Sequence, residues 1–299
     1  MISLSEEVEE ALEAGEAVVA LESTVYSHLG LPTPANEEAL IGCLDAVRGT
    51  GAVPAITAVL DGVLRAGLNP SEHERILGPA HKVAERDLAL AVARGWDVGA
   101  TTVSASLAIA SRAGIAAFAT GGIGGVHRGV DETGDISADL GAIARHPVVT
   151  VSAGAKSFLD LERTLEHLET LGVPVVGWQS DEFPAFTARS SGLAVPHRLD
   201  KISEVVAMAN AQMSFGGGML VANPVPADRA LDQDIHDEAL ATALSEAELQ
   251  GITGPAVTPF VLDRIAAASG GQSVPANVAL VANNARLAGE IAVGIADAT

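Results

Sequence analysis

The feature that most constrains this chain is a succession of short apolar, β-branched segments separated by segments of helical period. Ala17–Leu21, Ala52–Leu60, Ile115–Thr120, Val148–Ala153, Val173–Trp178 and Met219–Ala222 read as strands. Asn36–Arg48, Thr102–Ala113, Ile136–Arg145 and Phe158–Leu171 between them read as helices. Such alternation predicts an α/β fold with a largely parallel central sheet flanked by helices. From about Ala227 onward only helical pattern is found, over Ala239–Leu249, Pro259–Ala268 and Ala276–Ala292. A helix-rich C-terminal third, covering the same core, follows. No low-complexity linker or internal repeat divides the chain, and 299 residues with 48% hydrophobic content suffice for one domain over residues 1–299.

Charge and cysteine usage exclude several function classes. A formal net charge of −21 repels nucleic-acid backbones, so polymeric nucleic acid is not an expected partner. A small anion responds mainly to nearby cations, because charges beyond a Debye length of about 8 Å are screened at physiological salt. No uninterrupted apolar run reaches the roughly 18 residues of a membrane span, and the first ten residues are acidic where a signal peptide is basic. The expectation is a cytoplasmic protein with no membrane partner. Cys43 is the only cysteine, which rules out an internal disulfide or a thiolate metal cluster and reads as a small buried hydrophobe.

In parallel sheets, ligands sit beyond the carboxyl ends of the strands. Three such ends carry chemistry here: Glu22-Ser-Thr, the run Gly121-Gly-Ile-Gly-Gly-Val-His-Arg-Gly129, and Gly154-Ala-Lys156. Lysines are few (Lys82, Lys156 and Lys201), and Lys156 follows an apolar strand of small residues where desolvation would favour a nucleophilic amine. The alternative is an exposed lysine at a helix start. Glu22, at the end of a hydrophobic strand, suits acid–base work or a metal, and equally a helix cap or a buried ion pair. Asp135 and Asp139, four residues apart around a helix start, suit a divalent cation bound through oxygen and water, while Asp135 alone also suits an N-cap. The glycine run lacks the acidic partner of a dinucleotide fingerprint and reads as close backbone approach to a ligand, with His127 and Arg128 as polar contacts. His127 also suits a purely structural hydrogen bond.

Ala20-Leu-Glu-Ser-Thr-Val, Gly99-Ala-Thr-Thr-Val-Ser-Ala, Phe118-Ala-Thr-Gly-Gly-Ile-Gly-Gly-Val-His-Arg-Gly, Asp135-Ile-Ser-Ala-Asp-Leu, Ser152-Ala-Gly-Ala-Lys-Ser and Asp181-Glu-Phe-Pro-Ala-Phe together resemble the pseudouridine-5′-phosphate glycosidase family. Leu220-Val-Ala-Asn-Pro-Val-Pro, Val257-Thr-Pro-Phe and Ala276-Asn-Val-Ala-Leu-Val-Ala-Asn-Asn-Ala extend the resemblance over nearly the whole chain. It implies reversible cleavage of the carbon–carbon glycosidic bond of pseudouridine 5′-phosphate into uracil and ribose 5-phosphate. Lys156 would be the nucleophile that forms a Schiff base, Glu22 the proton donor, and Asp135 the ligand of manganese or another divalent cation. Substrate contacts would fall to Lys82, Val103 through its backbone, His127, Ser137, Ala138, Asp139 and Asn277. The resemblance also implies a homotrimer. One departure stands out: where the family often reads Lys-Val-Ser-Arg-Arg-Asp, this chain has Lys82-Val-Ala-Glu-Arg-Asp87, leaving Lys82 and Arg86 to meet the phosphate. A related synthase that joins ribose 5-phosphate to another aromatic acceptor would share this core, and a non-enzymatic nucleotide-binding regulator would leave Lys156 and Glu22 as incidental ion-pairing groups.

Overall fold

A computed structural model describes residues 2–252 and 257–298. Its strands are β1 (Ile2–Leu4), β2 (Val18–Leu21), β3 (Val53–Leu60), β4 (Val63–Ala66), β5 (His81–Val83), β6 (Val98–Thr101), β7 (Ala117–Ala119), β8 (Val149–Ser152), β9 (Val175–Trp178), β10 (His197–Leu199) and β11 (Met219–Ala222). The helices are α1 (Glu6–Glu13), α2 (Ala35–Arg48), α3 (Pro70–Leu77), α4 (Leu88–Arg94), α5 (Val103–Ala113), α6 (Val130–Thr133), α7 (Ala138–Arg145), α8 (Leu161–Thr170), α9 (Ile202–Ser214), α10 (Gln233–Leu249), α11 (Val257–Ala268) and α12 (Ser273–Ala296). The strands join into one sheet in the order β1-β4-β3-β2-β7-β8-β11-β9-β10, with β6 against β3 and β5 against β6. From β3 across to β10 every pairing is parallel, as the alternation of segments predicts.

The parallel strands are apolar throughout because both faces are covered. In β2 every residue is buried, Val18 and Ala20 entering one core cluster and Val19 and Leu21 the other. Residues of α5, α7, α10 and α11 contribute to the first cluster, and residues of α2, α9 and α12 to the second. The helical C-terminal third thus covers both faces of the same sheet, with no strand after β11 among the described residues.

The sequence reading misses the short strands β1, β4, β5, β6 and β10. The β3–β4 hairpin carries a strong local signal, since Asp61 and Gly62 form a two-residue loop between the paired Leu60 and Val63, both with positive φ (52° and 74°). That is the turn which Asp-Gly favours, because its twist matches that of the strands. Two helices start later than their apolar patterns. Leu161 opens α8 with Asp160 capping it through Arg163 N, so Lys156 lies in the turn before the helix and not at its start. Likewise α7 begins at Ala138, and its cap is Ser137, not Asp135.

By length and composition α12 is apolar enough to cross a membrane, although Arg286 and Glu290 interrupt it and pair with each other. Half of its apolar window is buried, and Leu280, Leu287 and Ile291 are fully enclosed in the core.

Candidate functional site

Strand register builds the site. Leu21 pairs with Ala119, and Ala119 with Val151, so the next residues, Glu22, Thr120 and Ser152, emerge side by side at the carboxyl end of the sheet. Glu22 is 8% exposed. Thr24 donates its hydroxyl hydrogen to one carboxylate oxygen and Thr120 to the other. The Glu22 loop is tied to β6 by Thr101 N donating to Ser23 Oγ at 2.9 Å and by Thr24 N donating to the Thr101 carbonyl at 3.2 Å. Burial pushes the Glu22 carboxyl above the ordinary glutamate value, against the Lys156 charge and the two threonine hydrogen bonds; Asp139 adds to the rise. The cap and ion-pair alternatives for Glu22 are not what the geometry shows: among the described residues neither a helix amide nor a salt-bridged cation takes its carboxylate.

Lys156 is half-buried beyond β8. Its amide donates to the Ile123 carbonyl at 3.1 Å, which ties the lysine loop to the glycine run. The small residues before it serve the protein itself: Gly154 has φ +70°, and a Cβ there would lie 2.1 Å from the Pro184 carbonyl oxygen. The glycine run follows the same logic. A Cβ on Gly121 would meet Val281 at 2.9 Å, on Gly122 the Phe186 ring at 2.7 Å, on Gly124 Ser137 Oγ at 2.2 Å and on Gly125 Thr164 Oγ1 at 2.4 Å. Close approach is indeed the reason for these glycines, but what approaches is the chain's own packing, not only a ligand.

Charges converge on this end of the sheet. Lys82, on β5, is an exposed residue overall, but loss of water around its ammonium and the nearby Lys156 charge lower its pKa, with Asp139 and Glu22 opposing. Burial likewise lowers the His127 imidazole; Asp135 opposes this, and Lys156 and Lys82 reinforce it. Glu22, Lys82, His127, Asp139 and Lys156 therefore share one electrostatic neighbourhood. Arg86, expected to assist Lys82, is 83% exposed with Asp87 at 3.7 Å, and Arg128 donates to the Phe158 carbonyl at 3.2 Å.

Asp139 is buried, each carboxylate oxygen accepting one amide, from Ser104 N at 3.1 Å and Gly124 N at 2.8 Å. It thereby locks the start of α7 to the start of α5, where Val103 is the first helical residue. Ser137 caps Asp139 N at 3.2 Å, and Ala138 is exposed beside it. Since α7 starts only at Ala138, Asp135 and Asp139 do not stand in a helical i, i+4 relation. Asp135 instead lies 3.8 Å from His127 Nδ1, and no cluster of three His, Cys, Asp or Glu suited to a metal occurs among the described residues. One carboxylate with open positions fits a divalent ion that keeps most of its waters, as magnesium and manganese do, and does not fit a closed protein cage. On α12, Asn277 holds its Oδ1 buried without a hydrogen-bond partner, 3.5 Å from where a Gly121 Cβ would stand. A buried acceptor left open costs roughly 1–3 kcal/mol, so a donor brought to this Oδ1 would be held favourably. Sequence reasoning passed over Thr24, Thr120, Ser152, Asn223 and Asn284, although each lies in a quoted motif; only the strand register reveals what they hold. Lys201 stays outside this neighbourhood as the residue before α9. Cys43 is buried beside Tyr26, its thiol pushed up to about 12 by burial.

Known proteins share this sequence pattern and fold. The sequence model described as "Indigoidine synthase A like protein" matches residues 7–294. A pseudouridine-5′-phosphate glycosidase of Methylobacterium nodulans is 52% identical over 99% of this chain and 88% of its own length, and that of Escherichia coli is 47% identical over 98% and 95%. Among solved structures, a prealnumycin C-glycosynthase in complex with ribulose 5-phosphate superposes with a TM-score of 0.91 at 38% identity, covering 100% of this chain and 98% of its own. An indigoidine synthase A-like protein from Thermotoga maritima gives 0.87 at 36% identity, with coverage of 99% and 97%. With a family match from end to end and half of the residues shared with its relatives, the chain belongs to the indigoidine synthase A-like family, which includes the pseudouridine-5′-phosphate glycosidases.

Proposed function

We propose that this protein is an enzyme that reversibly cleaves the carbon–carbon glycosidic bond of pseudouridine 5′-phosphate, giving uracil and ribose 5-phosphate through a Schiff base on Lys156. The observation that carries the reading is the meeting of a buried carboxyl, Glu22, held by two threonine hydroxyls and pushed above the ordinary glutamate value by burial, with Lys156 at the carboxyl end of one sheet. The relatives named for this activity, 47–52% identical to this chain, support the same substrate.

A C–C glycosidic bond has a poor leaving group, and a two-carboxylate route would expel a carbanion from uracil C5. An amine offers another path. Glu22 gives its proton to the ribose ring oxygen as the C1′–O4′ bond breaks, and Lys156 Nζ bonds to C1′. The C1′-bound nitrogen gives up a proton, its lone pair then forms C=N, and the C1′–C5 electron pair goes to uracil C5, which takes up a proton in exchange. Water adds to the iminium and releases ribose 5-phosphate. Lys82 and the amide of Val103 would bind phosphate, and His127, Ser137, Ala138 and Asn277 would orient sugar and base. Asp139, with both oxygens bonded to amides, would act by fixing the wall of the pocket. Asp135 would hold a divalent cation, manganese or a similar ion, which supplies positive charge and ordered water beside the pocket.

The C-glycosynthase neighbour makes the same class of bond, so synthesis onto another aromatic acceptor is the second reading; its 38% identity against 52% for the glycosidase relative favours the first. A homotrimer in the cytoplasm completes the proposal, and sedimentation equilibrium of the purified chain tests the assembly. Incubation with pseudouridine 5′-phosphate and manganese, followed by detection of uracil, tests the activity. Absence of uracil, with ribose 5-phosphate consumed alongside a different aromatic acceptor, would transfer the assignment to the synthase.

A further inference from the structure

We propose that Asn223 and Asn284 form a positioning pair that sets Glu22 and Lys156 in register with each other. Asn284 lies on α12 with no solvent exposure, and Asn223 follows β11 at 4% exposure. Asn223 Nδ2 donates to Asn284 Oδ1 at 2.9 Å. Asn284 Nδ2 in turn donates to the Thr120 carbonyl at 2.8 Å and the Gly121 carbonyl at 3.2 Å. Thr120 is the residue whose hydroxyl holds Glu22. In the other direction, Asn223 N donates to the Ser152 carbonyl at 2.8 Å, and Ser152 Oγ donates to the Gly154 carbonyl at 2.9 Å, two residues before Lys156.

The pair therefore bridges two strand ends that carry different halves of the chemistry. At Thr120 the main chain leaves β7 for the glycine run; the Gly121 carbonyl still accepts from Ala153 N at 2.8 Å. The buried Asn284 amide, with two donor hydrogens, satisfies the Thr120 carbonyl and adds a second bond to that of Gly121. Its acceptor end is claimed by Asn223, which fixes which way the Asn284 amide points. Because α12 also carries Asn277 two turns earlier, the same helix that clamps the Glu22 support presents the open acceptor over Gly121. Neither Asn223 nor Asn284 takes a place against substrate in the proposed reaction; their side chains act through Thr120, and the main-chain amide of Asn223 meets Ser152.

This inference rests on the glycosidase reading, and its test separates the two. Asn284→Asp keeps the shape and the bond from Asn223 but presents no donor to the two carbonyls; Asn223→Ala frees the amide of Asn284 to rotate and serves where the first variant fails to fold. With pseudouridine 5′-phosphate, kcat should fall roughly 10–100-fold, the loss expected when reacting groups shift by about an ångström, while KM stays within about threefold. A readout independent of turnover is the Glu22 carboxyl titration, followed by carbon-13 NMR and assigned by its absence in Glu22→Gln. Its midpoint should move upward in the asparagine variants and in Thr120→Val alike, because each weakens the same hydrogen bond to the carboxylate. A folded variant with the parent's kcat and the parent's Glu22 midpoint overturns the pair's role. If the parent releases no uracil, the glycosidase reading fails, and an unmoved Glu22 midpoint then overturns the positioning pair separately.

Discussion

At the scale of single residues, Glu22 shows how a buried acid is kept useful. Its pKa is higher in the folded chain than in the unfolded one, mainly through burial. The stability tied to its proton is fully present below the unfolded value and is lost as pH rises through the raised folded value. Glu22→Gln should accordingly raise the melting temperature at pH 8 more than at pH 4, read by calorimetry, while abolishing uracil release. An equal change at both pH values would mean that Glu22 ionises in the fold as freely as in water. Lys156 gives a sharper test. Borohydride added with ribose 5-phosphate should fix one sugar phosphate on Lys156, mapped by peptide mass, and on neither Lys82 nor Lys201. Lys156→Arg should lose both the adduct and turnover, since guanidinium stays protonated and cannot attack; an active Lys156→Arg enzyme would exclude the covalent route. Glu22 and Lys156 were legible in the sequence because each is a charge set just beyond an apolar strand, Glu22 directly after β2 and Lys156 four residues after β8. Thr24 and Thr120 were not, since a threonine beside a strand end has no distinctive spacing and gains its meaning only from the neighbouring strand.

At the scale of elements, the loops that surround the site are held by one another more than by their own helices. The turn after β5 is an example. Glu85 accepts from Arg145 at 2.6 Å and faces His146 at 2.9 Å, while its amide donates to Ser104 Oγ at 3.2 Å. The acidic residue that departs from the family's pattern thus pins the Lys82 segment to the end of α7 and the start of α5, a structural use and not a phosphate contact. In the proposed reading, phosphate recognition would then fall mainly to Lys82. Lys82→Ala should damage kcat/KM for pseudouridine 5′-phosphate by roughly 10–100-fold, the effect of one charge-assisted bond of about 1.5–3 kcal/mol, and leave unphosphorylated pseudouridine nearly unaffected. Equal losses on both substrates would count against a phosphate contact. The segment before α7 carries the metal expectation: EDTA should remove activity, manganese should restore it, and Asp135→Asn should weaken the restoration. Full turnover after rigorous metal removal would dispose of the cation. The alternation of segments located these elements, but their starts were misjudged wherever apolar residues precede the cap, as Ile136 does Ser137 and Phe158 does Asp160.

At the scale of the whole molecule, α12 joins the fold to the site. Hydropathy alone permits it to span a membrane, and the helix-rich C-terminal third was legible without any sign of what it packs on. Pattern gives a helix its apolar face but not the partner of that face, and here the partners are strands more than a hundred residues earlier. In the structure α12 encloses Leu280, Ala285, Leu287, Ala288 and Ile291 against residues of α2, β2, β7 and β8, and a Cβ on Gly289 would lie 2.3 Å from Thr50 Oγ1. A helix so enclosed opens only when the core opens, so its amides should exchange hydrogen at the rate of global unfolding. Those of α10, whose Ile235 and Leu249 are exposed, should exchange through smaller openings. Hydrogen-exchange mass spectrometry on the detergent-free protein makes the comparison directly. Because Asn277 and Asn284 ride on the same helix, thermal loss of activity should coincide with loss of α12 protection. Rapid exchange in α12 from an otherwise protected protein would instead mean that this helix is held by something absent from the isolated chain.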